Sequence, residues 1–454
     1  KANVKLQGSN KSFIKCVNAS SGGDIGLQGS NVELNDLKIQ IAGSQCVFLS
    51  AASISNISVQ NCWLYDSAFT GIMFQANTTG CSNINIKNNI ISGGTYGVLF
   101  NSALTGSGAQ IVGNTMYGNK CIELNTTSGT WTDTIVSENT LDSSASNGTS
   151  DAFAIGVAKG KRVVVSNNNI INSFQEAIHV EDDSQNVIIE GNTINTTAVT
   201  KDGIRILQVT GGTSTGHVVT GNTIKCTGTA NGNIGVNCIN DANGTAKNVS
   251  ISNNQIINFE TGIALGAGTA YNSAIGNTIS SATITGISAT EFTGVVSENT
   301  FDSCTKLYVA TNGGVVGSAN CVNTQPTTLA SNTNYSLTIK GLRLRGSGAH
   351  AAGGAAGYLN VLPLGATSRF LGGCRGLLFD TSTGTNTQVA ETMSWDGTTD
   401  TTIVNIAGPA KGPAPALTAP VFDVSGGNLR VGCTRTGSAF TLGYDVVIAG
   451  DLVL

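Results

Sequence analysis

The chain has 454 residues, only 11% of them charged, with a formal net charge of −4 and a pI near 5.4. That balance lacks the basic stripe that nucleic acid demands, and no run approaches the ~20 consecutive apolar residues of a membrane-spanning helix. The length exceeds that of one ordinary domain, but a repeat architecture escapes this limit because each repeat needs only its neighbours.

The chain opens with KANVKLQGSN, which has neither an initiator Met nor the charged-then-apolar pattern of a signal peptide, and reads as a fragment or a processed form. Two degenerate repeats follow, VELNDLKI and ISVQNCWL, with Leu37 and Cys62 at the position that later copies give to asparagine. Between residues 84 and 301 one phrase recurs nine times, from INIKNNII through VVVSNNNI and HVVTGNTI to GVVSENTF. Its asparagines are Asn89, Asn114, Asn139, Asn168, Asn192, Asn222, Asn254, Asn277 and Asn299, at intervals of 22 to 32 residues. A period in the twenties with short alternating apolar runs is the signature of a solenoid of strands. Alternation turns every second side chain inward, and the asparagines would stack coil upon coil, bonding amide to amide. These residues predict an all-β chain built on a right-handed parallel β-helix with an asparagine ladder.

All six prolines lie after residue 325, and proline cannot donate to a strand ladder. Their appearance, together with the end of the asparagine phrase, places a boundary near 322. Residues 1–322 are then the β-helix. Residues 323–454 read as strands of 5–9 residues broken by turn residues, which suggests an antiparallel β-sandwich. The eleven cysteines show no C-x-x-C pair, so they read as small buried hydrophobes. Three histidines, far apart in sequence, argue against a metal site, and no cofactor is expected.

Aligning the strand after each asparagine turn gives a second register. TGIMF, YGVLF, KCIEL, DAFAI, EAIHV, DGIRI, IGVNC and TGIAL open on Thr70, Tyr96, Lys120, Asp151, Glu176, Asp202, Ile234 and Thr261. Three places further on, an outward column contains Met73, Leu99, Glu123, Ala154, His179, Arg205, Asn237 and Ala264. Residues 151–205 hold 12 charged side chains in 55 positions, against 4 in 85 over 206–290. Like charges ~5 Å apart cannot all ionise freely, so at least one carboxyl should stay protonated near neutral pH. Stacked charges at strand starts also serve as turn caps and solvated ladders. The run Glu181, Asp182, Asp183 reads as a solvated loop, with hydroxyl or cation binding as the alternative.

The order of parts, GNT/ENT turns followed by YLNVLPLG…MSWDGTTDTTIV…GNLRVG, resembles the tailspikes of bacteriophages. The resemblance implies a homotrimer locked by its C-terminal sandwich, a β-helix that binds or cuts a bacterial surface polysaccharide, and a place in the virion tail. It also implies a virion-attachment segment before residue 1. Hydrolysis needs two carboxylates, and Glu176 with Asp202 is the expected pair, Asp151 being the third candidate. His179, Arg205, Glu123 and Asn237 would bind substrate. Adjacent coils approach the ~5 Å of a retaining enzyme, while Asp151 and Asp202, two coils apart, approach the inverting range; leaning side chains leave both open. A lyase, with His179 or Lys201 as base and Arg205 neutralising a uronate, is an alternative, and calcium could then bind Glu181, Asp182 and Asp183. A spike that adheres without cutting is another.

Overall fold

The structure is a computed structural model that describes residues 4–16, 25–27, 29–41, 45–49, 54–65, 69–74, 79–101, 105–125, 129–144, 153–197, 200–208, 212–239, 245–266, 270–290, 293–311, 321–322, 336–350, 357–363, 369–380, 386–395, 400–405, 417–425, 428–435 and 440–453. None of these is helical. The chain forms two compact units, Lys1–Phe259 and Glu260–Leu454.

The first unit is a parallel β-solenoid of the right-handed type, the hand expected of parallel crossovers. Each coil contributes a strand before the asparagine turn, a strand after it, and a third strand beyond the next turn. The third sheet runs in strict chain order through nine strands, from Ile25–Leu27 to Ile234–Cys238. Alternation decides what is inside. One inward column runs Leu34, Val59, Ile86, Ile111, Val136, Val165, Ile189, Val219 and Ile251 in unbroken register. Every member is buried. Larger rings fill the corner beside the third sheet: Phe74 stacks on Phe100 with centroids 4.4 Å apart, and Trp131 leans on Phe100 at 4.5 Å.

The turn between the first two strands explains the repeated phrase. The residue before each asparagine adopts a left-handed backbone, with φ of 55° at Asn88, 68° at Gly113, 62° at Gly191 and 64° at Gly221. Glycine and asparagine tolerate that region best, hence the GN and NN dipeptides. The next asparagine then turns inward. Nδ2 of Asn89 donates to Oδ1 of Asn114 at 3.0 Å, and the chain of bonds continues through Asn139, Asn168, Asn192 and Asn222 to Asn254 at 2.9–3.0 Å. Each receiving Oδ1 also accepts the preceding asparagine's backbone N–H, as in Asn192 to Asn222 at 2.9 Å. The Nδ2 of Asn222 also reaches back to the Ile189 carbonyl at 3.0 Å. Cys62 heads the ladder: its N–H donates to Asn89 Oδ1, and its thiol meets the Leu34 and Gln60 carbonyls at 3.7 and 3.2 Å. Leu37, buried, precedes it in register. Cys46, Cys62, Cys81, Cys121, Cys226, Cys238, Cys304 and Cys374 are unbridged and buried, as the sequence suggested.

The second unit begins with the same architecture. Thr261–Leu265, Thr285–Thr290 and Tyr308–Thr311 pair in parallel, and Asn277 bonds Asn299 at 3.0 Å. Ser336–His350 pairs in parallel with Cys321–Val322, and beyond it the pairing is antiparallel. Phe440–Val453 lies between Ser336–His350 and Arg369–Asp380, and Arg369–Asp380 continues to Asn386–Trp395 and Asp400–Asn405. Gly357–Pro363, Asn428–Arg435 and Leu417–Ser425 form a separate antiparallel sheet.

Replacing Asn222 with Leu strips acceptors from Asn192 and a donor from the Ile189 carbonyl, all in a dry interior. The expected cost is about 1–3 kcal/mol, read as a lower urea midpoint with an unchanged m-value. A variant as stable as the parent would show that the ladder contributes nothing.

Candidate functional site

Five neighbouring strands of the third sheet position the site: Lys120–Asn125, Ile155–Ala158, Ile178–Glu181, Ile204–Ile206 and Ile234–Cys238. Their register stacks Glu123, Gly156, His179, Arg205 and Asn237 in one column between inward-facing residues. The sequence-based column had Ala154 in the second place. The register is two residues further on, and Phe153 takes the place on its coil that Lys120 and Glu176 take on theirs. A slip of two keeps every side chain on its face, so alternation alone cannot detect it. Asp151 lies outside the described residues. Glu123, His179, Arg205 and Asn237, with Glu176 and Asp202 beside them, do come together.

This outward face is nevertheless buried. Glu123 and Glu176 are each 3% exposed, Asp202 5% and His179 8%. Buried charges need partners, and the structure supplies them. Arg205 Nη1 donates to Glu176 Oε1 at 2.8 Å, with its Nε 3.9 Å from Asp202 Oδ2. Asp202 accepts from Asn237 Nδ2 at 2.7 Å and from the Ile234 N–H at 3.2 Å. His179 Nε2 lies 3.2 Å from Glu181 Oε2, and its Nδ1 4.0 Å from Glu176 Oε2. Lys120 pairs with Glu123 at 3.4 Å. The Lys120 ammonium also sits 5.1 Å from the Tyr96 ring and 4.9 Å from the Phe153 ring, and Phe153 stacks on His179 at 4.6 Å.

Local sequence places these groups. Asp202 precedes Gly203, where a Cβ would lie 2.5 Å from Ile224 Cγ2 and 2.7 Å from the Gly235 carbonyl. Only glycine lets the coils approach there, and this fixes the carboxyl at the strand start. Gly156 leaves room for the Phe153 ring in the same way, since a Cβ would meet it at 2.9 Å. Sequence reasoning missed Phe153 and the Lys120–Glu123 pair; the basic residue was visible in the column, but its partner three positions on was not singled out with it.

Burial pushes the Glu123 carboxyl from 4.5 up to about 7, against the pull of Lys120. Burial likewise raises Asp202 from 3.8 to about 6, partly offset by the Asn237 hydrogen bond and Arg205. The arrangement thus holds protonated carboxyls near neutral pH beside an Arg-paired carboxylate, which is the equipment of general acid catalysis. The acidic run Glu181, Asp182, Asp183 is turned toward its own chain: Glu181 faces His179, and Asp183 Oδ1 accepts the Thr213 N–H at 2.9 Å. Among the described residues no group of three metal-ligating side chains converges. His217 stands apart from the site. It is buried beside Ser214, with Nε2 2.8 Å from the hydroxyl, and its Nδ1 accepts the Val187 N–H.

No protein-family model matches the chain, and no curated protein matches it in sequence. Among solved structures it is similar to the tailspike protein of Dettilon, at 14% identity over 99% of this chain and 87% of that one, with a TM-score of 0.36. It is similar to the tailspike of Pseudomonas phage phi297 at 10% identity, over 92% of this chain and 66% of that one, TM-score 0.43. It is also similar to the tailspike of Acinetobacter baumannii bacteriophage Fri1, a capsular polysaccharide depolymerase, at 11% identity over 91% and 81%, TM-score 0.28.

The raised carboxyls make stability depend on pH. Glu123 and Asp202, at about 7 and about 6, hold protons that the unfolded chain releases at lower pH. Their contribution is full in acid, below the unfolded values, and is lost as pH rises through the folded ones. Glu123→Gln cannot ionise, so its urea midpoint should fall less than the parent's between about pH 5 and 8. Parallel pH profiles for the two proteins would contradict the burial of an ionisable Glu123.

Proposed function

We propose that the protein is a bacteriophage tailspike that binds a bacterial surface polysaccharide and hydrolyses it. The observation that carries this reading is the pair Glu176 and Asp202, on adjacent coils, joined through Arg205. Asp202, raised by burial to about 6, is the proton donor to the glycosidic oxygen. Glu176 attacks the anomeric carbon or directs water onto it, and Arg205 holds it in place. Coils stacked ~4.8 Å apart fit the closer, retaining spacing of carboxyl groups. His179, Glu123 and Asn237 line the same face as sugar ligands. Hydrolysis is favoured over elimination because the guanidinium that would neutralise a uronate is already engaged by Glu176. Asp151 remains a candidate third carboxyl.

The assembly in this reading is a homotrimer in the virion tail. Residues 323–454 form its antiparallel sandwich and trimerisation domain, residues 1–322 its β-helix, and a further segment attaches it to the tail. An outer column of the first sheet supports burial against other copies: Ile135, Val164, Ile188 and Val218 follow one another in register, and Ile135 is 40% exposed. Exposed apolar stripes of this kind mark association surfaces, and closed cyclic symmetry covers them without open-ended growth.

Glu176→Gln and Asp202→Asn keep shape and remove the ionisable groups. Each should lower the release of reducing ends from the cognate polysaccharide by at least ~100-fold, with the assembly intact. Two variants that cut at the parental rate would overturn the assignment. Sedimentation should give a particle of three times the 46.2 kDa chain; a stable monomer at micromolar concentration would refute the trimer.

A further inference from the structure

The same face specifies the charge of its ligand. Among the described residues, four side chains of the cluster carry a buried polar atom with no hydrogen-bond partner: Glu123 Oε2, His179 Nδ1, Arg205 Nε and Asn237 Oδ1. Groups left unpaired in a dry site are costly unless a ligand completes them. Asn237 Oδ1 only accepts, Arg205 Nε only donates, the imidazole nitrogen can do either, and Glu123 Oε2, 3.4 Å from the Lys120 ammonium, accepts when ionised and can donate when protonated. A sugar hydroxyl both donates and accepts, so it can answer every one of them. A carboxylate, phosphate or sulfate only accepts, so it would answer Arg205 Nε and leave the Asn237 oxygen with no proton to accept.

Charge points the same way. Four carboxyl groups, Glu123, Glu176, Glu181 and Asp202, meet two permanent cations, Lys120 and Arg205, with His179 among them. Arg205 is engaged at 2.8 Å by Glu176, Lys120 by Glu123 at 3.4 Å and by two rings, and His179 by Glu181 at 3.2 Å. An anion entering here would displace a cation from its carboxylate, and wherever Glu123 and Asp202 give up their protons it would also lie against surplus negative charge in a low dielectric.

We propose that this site takes an uncharged, hydroxyl-rich sugar residue and rejects residues that bear a carboxylate, phosphate or sulfate. The proposal rests on the polysaccharide reading above but not on cleavage. Rejection by unpaired and repelled groups gives stronger discrimination than a missing contact.

The test uses the full chain on an array of purified bacterial capsular and O-chain polysaccharides, half with uncharged repeats and half with uronic, sialic, phosphorylated or sulfated ones. Binding should fall on uncharged glycans and change little between about 0.05 and 0.5 M salt, since no ion pair is screened. Glu181→Gln removes one surplus charge outside the cleaving pair and should raise binding of uronate-bearing relative to uncharged glycans by about tenfold. Binding confined to charged glycans and abolished by carboxyl reduction would overturn the proposal, as would failure to bind any uncharged glycan. Reducing ends are assayed on the same samples. An uncharged glycan bound but left uncut would remove the hydrolase reading and leave the specificity standing. Unsaturated, ultraviolet-absorbing products from a uronate polymer would remove both.

Discussion

The interaction on which the first unit depends is the bond from one asparagine amide to the next. A solenoid turns its backbone at every coil, and each turn carries N–H and C=O groups into a dry interior where none can remain unpaired. The asparagine answers with both ends of its side chain. Oδ1 takes the N–H of the coil before, and Nδ2 reaches that coil's carbonyls and the next amide. One residue type therefore fixes the turn, the register and the spacing of the coils together. Where the ladder begins, a thiol meets the same carbonyl positions more weakly.

Register is what the site draws from this scaffold. Side chains from five coils reach one face because the ladder holds each strand in step with its neighbour, so Glu123, His179, Arg205 and Asn237 share a column without being close in sequence. The stacking also forces like charges together. Burial, and to a lesser degree the nearby carboxyls Glu181 and Glu176, raise the proton affinity of Glu123 and Asp202, and Lys120 and Arg205 pull the other way. A rigid scaffold can sustain such a cluster because packed apolar columns on the inner side stabilise every coil.

The solenoid and the charged face obey different rules. Along the ladder from Asn89 to Asn254 each amide is bonded to the next. On the charged face, several buried atoms have no partner. Local departures from otherwise consistent chemistry concentrate where a protein acts, and here they coincide with the carboxyls whose proton affinity is most shifted. A face built for stability alone would have placed apolar residues there, as the same column does further along with Met73 and Leu99, both buried.

The sequence by itself determined the solenoid, its ladder and the place of its charge. Asn89 to Asn254 stack as read, Leu37 and Cys62 take the positions read for them, and Glu176, Asp202, His179 and Arg205 meet. All of this follows from a period of two along each strand and a fixed turn residue in each coil, both of which are written in order along the chain. Two features needed tertiary structure. The coil carrying Phe153 and Gly156 is set two residues from the sequence-based alignment, since period-two alternation is blind to a slip of two; volume decided it, Phe153 packing where a Cβ on position 156 would collide. Burial of the outward column was also invisible. Alternation says which way a side chain points, but whether water reaches it depends on what packs above it, and it is that exclusion of water that raises Glu123 and Asp202.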